Sequence, residues 1–378
     1  NPELPVVSFP VPVLTRQIKA LDTIAQQCDP SDPVEKFLVE SATSYASAGR
    51  MLESIGTTDF TTYSVQIYGR PDRKYKNQDL TPVDAARYFL EVTDTLLGNA
   101  HMPETELNIS AEEFAGWLTG RVDEFFTDDL VAVKLDPGMS SKALAGAKRI
   151  RVRSSAIFST FDKDQLLYHE AFVHTATQLN GQKQSNLKSL GLGAPRTTRT
   201  QEGIAVLSEI ITGAIDITRL RRIALRVIAV KMALDGDDFI DLFRFFLDAG
   251  QPEIEAVRSA QRIFPVGAVK VGIVFTKDAV YLQGLLEVHT FLRVAIRENK
   301  PQLVSSLFAG RLTIADAVRF EPLITNGWIK KPTYMPPWAA DIRRVAAMLA
   351  VSAFISNIKL DSLTLARAIE FEEEMKSQ

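Results

Sequence analysis

Two of the four histidines in the sequence lie five positions apart, with a glutamate directly after the first. The segment reads HEAFVH, and its ends are His169 and His174. Neutral imidazole binds Zn²⁺ at about 2.0–2.1 Å, and a catalytic zinc site keeps one of its four positions open for water. Glu170, beside the first histidine, is placed to accept a proton from such water. His289, in an apolar helical segment, is interpreted as a core histidine.

The spacing of the two histidines conflicts with a regular α-helix. Zinc-binding helices usually carry ligands at positions i and i+4, which share one face. At about 100° per residue, positions i and i+5 are separated by about 140°. A wide turn with i→i+5 hydrogen bonds would bring the rings back together, and such turns are frequent at functional sites. We therefore predict a π-type turn between His169 and His174.

A third ligand is expected from a later helix, in the segment TTRTQEGIAVLSEIITG. Thr198 followed by Gln201 is a possible capping box, so we expect a helix to begin there. Glu202 lies in its first turn and is the predicted carboxylate ligand. Gly203 would allow another backbone to approach closely. Glu209 lies about two turns further along the same face and is a candidate partner for a ligand histidine.

The elements that must position these residues are mostly helical. Apolar residues recur at helical spacing over 33–55, and Thr81 and Ser110 are predicted to cap later helices, Ser110 with Glu113 three residues on. Alternating residues predict strands over 60–69, 131–135, 148–155 and 266–275. We expect an α+β fold, predominantly α-helical, with a small antiparallel sheet.

The histidine helix itself has its own predicted boundaries. Asp162 with Gln165 is read as its N-terminal cap, and Asn180-Gly181 as its C-terminal end. A soft boundary would divide the chain into a mostly helical region, 1–128, and a catalytic region, 129–378, which can also form one continuous unit.

Composition narrows the range of partners. The 378 residues include 43 Lys+Arg and 46 Asp+Glu, for a net charge of −3. This balance argues against nucleic acid as the main partner. Cys28 is the only cysteine, which fits a reducing compartment. The apolar run 345–355 is too short to span a bilayer, and the first residues do not resemble a signal peptide. A cytoplasmic protein without a membrane partner is expected, and its oligomeric state is left open.

A peptidase that acts at chain ends would need further groups. Arginine meets a carboxylate with two parallel hydrogen bonds, so Arg258 and Arg262 are candidates for binding a substrate C-terminus, together with Lys277. Tyr281 is a candidate donor to a developing oxyanion. The alternative for each cation is a solvated surface position, and for Tyr281 a place in the core.

HEAFVH, the downstream TQEGIAVLSE and segments such as NGWIKKPTYMPPW resemble a known group. These are bacterial proteins with a QEGLA motif, which are related to the microtubule-associated tyrosine carboxypeptidases of animals. The resemblance implies a zincin-like zinc metallopeptidase. His169, His174 and Glu202 would be the zinc ligands, and Glu170 the general base. The substrate would be a peptide or protein C-terminus.

The sequence departs from the expected family pattern at two places. Residues 171–173 fill the interval in which the family usually has a glycine, and Pro265-Val266 stand where relatives tend to have Arg-Gly. Both changes bear on substrate preference and leave the ligands intact. Two other functions stay open: a non-enzymatic regulator with a structural metal site, and a small-molecule amidohydrolase.

Overall fold

A computed structural model describes residues 10–75, 79–98, 107–139, 141–264 and 271–355. Within these ranges the chain is mostly helical, with a single small sheet. The predicted α+β class with predominantly helical content is confirmed. The predicted boundary at residue 128 is not tested and stays a prediction.

The described part of the chain before the sheet is helical. The helices are α1 Val11–Gln27, α2 Pro33–Glu53, α3 Asp59–Tyr68, α4 Pro82–Gly98 and α5 Ala111–Phe125. The predicted caps of α4 and α5 are confirmed, because the backbone N–H groups of Asp84 and Glu113 donate to the hydroxyls of Thr81 and Ser110, each at 3.1 Å.

Helix α3 replaces the strand predicted over 60–69, so that prediction is wrong. Its buried residues Phe60, Ser64 and Tyr68 recur every four positions, which is the period of one helix face. The Ser64 hydroxyl accepts a hydrogen bond of 2.8 Å from the backbone N–H of Thr276. Burial of this face favours the helix, although the residues of the segment also alternate as they would in a strand.

The three-stranded sheet consists of β1 Ala132–Asp136, β2 Ala143–Ala145 and β3 Arg149–Arg153. Strands β1 and β3 lie where the sequence predicts them, and Ile150 and Val152 are buried on one face. The predicted antiparallel sheet is wrong, because β3 pairs in parallel with β1 and antiparallel with β2. The short β2 folds back beside β3 and takes the antiparallel position, which makes β3 the central strand.

A long helix with a wide centre follows the sheet. It consists of α6 Thr160–Leu166, a π-helix at Leu167–Thr175 and α7 Ala176–Gln182. Its cap is Ser159, which forms a capping box with Asp162, so the predicted cap at Asp162 is wrong by one turn. The helix continues slightly past the predicted Asn180-Gly181 end.

Most of the remaining described chain is helical. The longer helices are α8 Thr198–Ile211, α9 Ile217–Asp235, α10 Phe239–Asp248, α11 Glu253–Ile263 and α12 Val280–Arg297. Shorter helices follow: α13 Gln302–Ser306, α14 Ile314–Arg319, α15 Glu321–Thr325 and α16 Pro337–Ala340, before α17 Ile342–Ile355. Single 3₁₀ turns lie at Lys188–Gly191, Pro195–Thr197 and Thr276–Ala279. Of the strand predicted over 266–275, residues 271–275 are not extended strand, and 266–270 lie outside the described residues.

Side-chain amides at and just after the end of the long helix hold two later loop segments in place. The amide group of Asn180 donates to the carbonyls of Phe308 and Tyr334, both at 2.8 Å. The Gln184 amide donates to the carbonyls of Ala309 and Lys330 at 3.1 and 3.0 Å. Backbone groups of both segments are therefore fixed against α7 and the residues that follow it.

Helix α12 lies at the centre of the fold. With the turn before it, the stretch Thr276–Arg297 is 22 residues long, and by length and composition alone it could cross a membrane. Its Leu282, Leu285 and Leu292 are buried in the main hydrophobic core, together with Ile204 and Leu207 of α8. Contact with this core accounts for its apolar character.

Helices α8 and α12 cross at two glycines. A Cβ at Gly284 would lie 2.1 Å from the carbonyl oxygen of Arg199, and a Cβ at Gly203 would lie 2.3 Å from that of Gly284. The predicted close approach at Gly203 is thereby confirmed. This crossing fixes α8, which carries Glu202, against α12, which carries Tyr281.

Replacing Gly284 by alanine is expected to lower the free energy of unfolding by about 1–3 kcal/mol, because backbone must move to admit the methyl group. Gly116→Ala in α5 is the matched control. Nothing lies within 4 Å of its new Cβ, and removing a helical glycine is expected to be neutral or stabilising by about 0.5–1 kcal/mol. Denaturant unfolding of both variants measures the difference, and equal stabilities would contradict the close-packed crossing.

Candidate metal centre

The π-helix brings the two motif histidines together. It spans Leu167–Thr175, so the predicted wide turn between His169 and His174 is confirmed. The imidazole rings stand almost perpendicular, at 88°, with centroids 4.8 Å apart. Both side chains are largely enclosed, and the interval of five residues now places them on one face.

Glu202 of α8 meets both rings. Its Oε2 atom lies 3.2 Å from His169 Nε2 and 3.5 Å from His174 Nε2. All three ligand atoms lie within 4.8 Å of one another. A tetrahedral ion bound at about 2.0–2.1 Å separates its ligand atoms by about 3.3 Å, so the spacing suits a small divalent cation such as Zn²⁺.

A buried carboxylate oxygen without a hydrogen-bond partner also fits a cation at this position. Glu202 Oε2 is buried without a hydrogen-bond partner, which is costly for a carboxylate oxygen. Burial raises the pKa of Glu202, but His169 and His174 more than offset it and hold the pKa well below its usual range. An ionised carboxylate between two imidazoles is a donor set that fits a metal cation.

A second carboxylate orients His169 from behind. Glu209 Oε1 lies 2.7 Å from His169 Nδ1, which leaves Nε2 to face Glu202. Arg219 binds Glu209 with two hydrogen bonds of 3.1 Å. Burial raises the pKa of Glu209, but Arg219 and then His169 lower it to about 2. Such outer carboxylates fix the orientation and tautomer of a metal-binding imidazole.

Glu170 lies next to His169 and is held by the edge of the sheet. The backbone N–H of Ala145 in β2 donates to Glu170 Oε2 at 2.8 Å. The Glu170 side chain is buried, with 8% of the residue exposed. The structure therefore fixes one carboxylate oxygen of Glu170 by a backbone hydrogen bond, beside a candidate ligand histidine. Its role as general base stays a prediction.

Tyr281 and Lys277 are also brought to the site. The Tyr281 ring is nearly parallel to that of His169, with centroids 6.4 Å apart. Lys277 Nζ lies 3.8 Å from Glu202 Oε1. Tyr281 and then Glu202 raise the pKa of Lys277 against the effect of burial. The chain thus places one phenol and one ammonium group beside the candidate ligands His169 and Glu202.

The two predicted arginines are placed differently. Arg262 binds Asp278 with hydrogen bonds of 2.5 and 2.7 Å, so its guanidinium is already paired. Arg258 forms an ion pair of 2.6 Å with Glu255, half of whose side chain is exposed. Neither arginine presents an unpaired fork to the metal centre, and their substrate role stays a prediction.

Arg219 and Arg311 are site residues that the sequence analysis missed. Arg219, Arg222 and Arg226 share one face of α9, and three cations on the face of a core helix would have indicated buried carboxylate partners. Arg311 donates to the carbonyl of His174 at 3.3 Å. It follows a loop that carries no periodic pattern, so no local signal predicts it.

The sequence also led to predictions about the start of α8 and about His289. Helix α8 begins at Thr198 as predicted, but without the predicted capping box, since Gln201 instead accepts a hydrogen bond of 2.8 Å from Thr177. His289 lies half-buried on α12, outside the ligand cluster.

The family model described as microtubule-associated tyrosine carboxypeptidase matches residues 2–357. The chain belongs to this family. Comparison with curated protein sequences gives no match. The relation drawn from the HEAFVH and TQEG segments to the microtubule-associated tyrosine carboxypeptidase family is thereby confirmed, and it links the chain to carboxypeptidases at a coarse level.

Proposed function

We propose that this protein is a zinc-dependent carboxypeptidase that removes residues from a peptide or protein C-terminus. The observation that supports it most is the convergence of His169, His174 and Glu202 beside Glu170. Structural zinc sites usually have four protein ligands, whereas catalytic sites have three. Among the described residues, three ligands form the cluster, which favours catalysis over a purely structural metal.

The proposed chemistry divides among named groups. His169, His174 and Glu202 would hold the cation, and Zn²⁺ there supplies Lewis-acid chemistry that lowers the pKa of water and polarises a carbonyl. Glu170 takes a proton from the attacking water as its oxygen adds to the scissile carbonyl carbon. As the C–N bond breaks, Glu170 gives that proton to the departing amine.

Two further groups surround the reacting bond in this proposal. Tyr281 is the proposed donor to the oxyanion, and Lys277 adds positive charge next to Glu202. Glu209 and Arg219 keep His169 oriented and do not touch substrate. The zincin-like core and a cytoplasmic location belong to the same proposal, the latter because the single cysteine, Cys28, is free.

Metal analysis and a peptide digest test the proposal. We expect the purified protein to retain about one zinc ion, since the donor set is that of a single catalytic site. In a mixed-peptide digest read by mass spectrometry, we expect products shortened from the C-terminus. A chelator should abolish the activity and added Zn²⁺ should restore it. Absence of zinc binding, or cleavage confined to internal bonds, would contradict the proposed function.

A further inference from the structure

Four described cations lie close to the candidate ligands. Lys277 Nζ is 3.8 Å from Glu202 Oε1, Arg219 binds Glu209 behind His169, and Arg311 donates to the carbonyl of His174. Arg262 binds Asp278, the residue next to Lys277. A substrate carboxylate near the metal centre must bind to a cation that is not already neutralised by the protein. The ion pairs of these four side chains therefore decide which of them can bind it.

Three of the four already have a carboxylate partner. Arg219 is paired with Glu209 and Arg262 with Asp278, each through two hydrogen bonds. Lys277 Nζ lies 3.8 Å from the ligand Glu202 itself. The guanidinium groups of Arg219 and Arg262 are thus engaged within the protein, and the charge of Lys277 faces Glu202; removing any of the three from its partner would leave a buried carboxylate less well paired.

Arg311 is different. Its Nη2 atom donates to two neutral oxygens, the carbonyl of His174 at 3.3 Å and Oε1 of Gln178 at 3.2 Å. Among the described residues, no carboxylate oxygen lies within 4.0 Å of this guanidinium. Its Nε atom is buried without a hydrogen-bond partner. Burial lowers the pKa of Arg311, and the carboxylates of Glu202 and Glu170, which lie beyond ion-pair distance, offset this effect only in part.

The backbone fixes the position of Arg311. Its N–H donates to the carbonyl of Leu190 at 2.8 Å. A Cβ at Gly193 would lie 2.8 Å from Arg311 Nη1, and a Cβ at Gly310 would lie 2.9 Å from the Leu190 carbonyl oxygen. Gly193 makes room for the guanidinium, and Gly310 lets the backbone before Arg311 approach Leu190, so the chain holds the arginine in place before any substrate arrives.

We propose that Arg311 binds the C-terminal carboxylate of the substrate. Its planar fork matches the two carboxylate oxygens, and a bound carboxylate would be the direct ion-pair partner that Arg311 lacks among the described residues. Its contact with the His174 carbonyl keeps the bound chain end beside the metal centre. This inference rests on the proposed function, and it specifies substrates with a free C-terminal carboxylate.

Binding of paired peptides tests the inference. The probes are one fluorescent peptide as the free acid and as the C-terminal amide, and the protein is the zinc-loaded full chain carrying Glu170→Gln. Adding Arg311→Gln is expected to weaken binding of the free acid about 10- to 100-fold, the loss typical of charged hydrogen bonds. The amide should bind as before. Arg311→Lys should restore part of the preference.

Two variants and a zinc assay separate this role from a structural one. Arg121→Gln, on the exposed face of α5, is the matched control and should leave the preference unchanged. Gly193→Ala keeps the arginine but displaces Nη1, so it should reduce the preference without loss of zinc. In activity assays of Arg311→Gln, a KM effect larger than the kcat effect is expected.

Different results overturn the two proposals. If peptides lose C-terminal residues but Arg311→Gln retains the full free-acid preference, Arg311 is excluded and the carboxypeptidase remains. If Lys277→Met loses the preference for the free acid while Arg311→Gln keeps it, Lys277 binds the carboxylate and Arg311 is likewise excluded. If the protein with intact Arg311 binds acid and amide equally, the inference fails, whereas the carboxypeptidase proposal fails only if the digest shows no products shortened from the C-terminus.

Discussion

Replacing Glu170 by glutamine is expected to lower kcat by about 10²- to 10⁴-fold, the usual contribution of a positioned general base. The amide cannot accept the proton from water, yet it keeps the shape of the side chain. His169, His174 and Glu202 remain, so zinc content should not change. Single-turnover cleavage of a C-terminal peptide bond, with zinc measured on the same sample, checks both parts.

Glu253→Gln is the matched control, because Glu253 is an exposed glutamate in the first turn of α11. It should leave both turnover and zinc content unchanged. Substantial turnover by the Glu170→Gln protein would remove Glu170 from the proposed proton transfer. Loss of zinc in that variant would instead show that Glu170 holds the metal centre together.

His174→Ala is expected to weaken zinc binding by more than about 100-fold, beyond the loss of about 10- to 100-fold that removal of an outer partner causes. The reason is that His169 and Glu202 alone leave the cation with two protein ligands. Competition with a chromogenic chelator measures the affinity independently of activity.

His289→Ala provides the comparison for this change. It removes a half-buried imidazole from α12, outside the ligand cluster, so zinc affinity should be preserved. Equal zinc affinity in His174→Ala and the wild type would reject His174 as a ligand. Thermal unfolding of both variants separates loss of metal from loss of fold.

The π-helix could be predicted because chemistry constrained the local structure. Two histidines that must reach one ion, five positions apart, require a wider turn than an α-helix offers. The same reasoning placed Glu202 and Glu209 on a second helix, and the structure brings both to His169. The requirement that both histidines reach one ion thus predicted the backbone conformation, which helix propensity alone could not do.

The strand prediction over 60–69 is wrong because the same residues fit both the period of a strand and that of a helix. Over 60–69 the residues alternate as in a strand, but Phe60, Ser64 and Tyr68 also recur every four positions, as on one face of a helix. Helix α3 forms because that face packs against distant parts of the chain, and the local sequence does not show this packing. The mixed sheet was missed for a similar reason: β2 has three residues, too few to show any pattern.

The sequence also does not show which charged side chains pair with one another. Arg262 and Arg258 are one helical turn apart, and nothing in their spacing distinguishes them. Asp278 folds against Arg262, whereas Arg258 meets Glu255 on its own helix. Whether a cation has a carboxylate partner depends on tertiary contacts, and for that reason Arg311, which has none within 4.0 Å among the described residues, becomes apparent only in the folded chain.

The wide turn also sets the rotational phase of everything after it. If all the residues of Leu167–Thr175 were kept but wound as a regular α-helix, the extra residue would rotate α7 by about 100° relative to α6. Asn180 and Gln184 would then point away from the backbone carbonyls that they bind. The wide turn therefore couples ligand geometry to the anchoring of distant backbone segments, and tightening it without removing a residue would disturb both together.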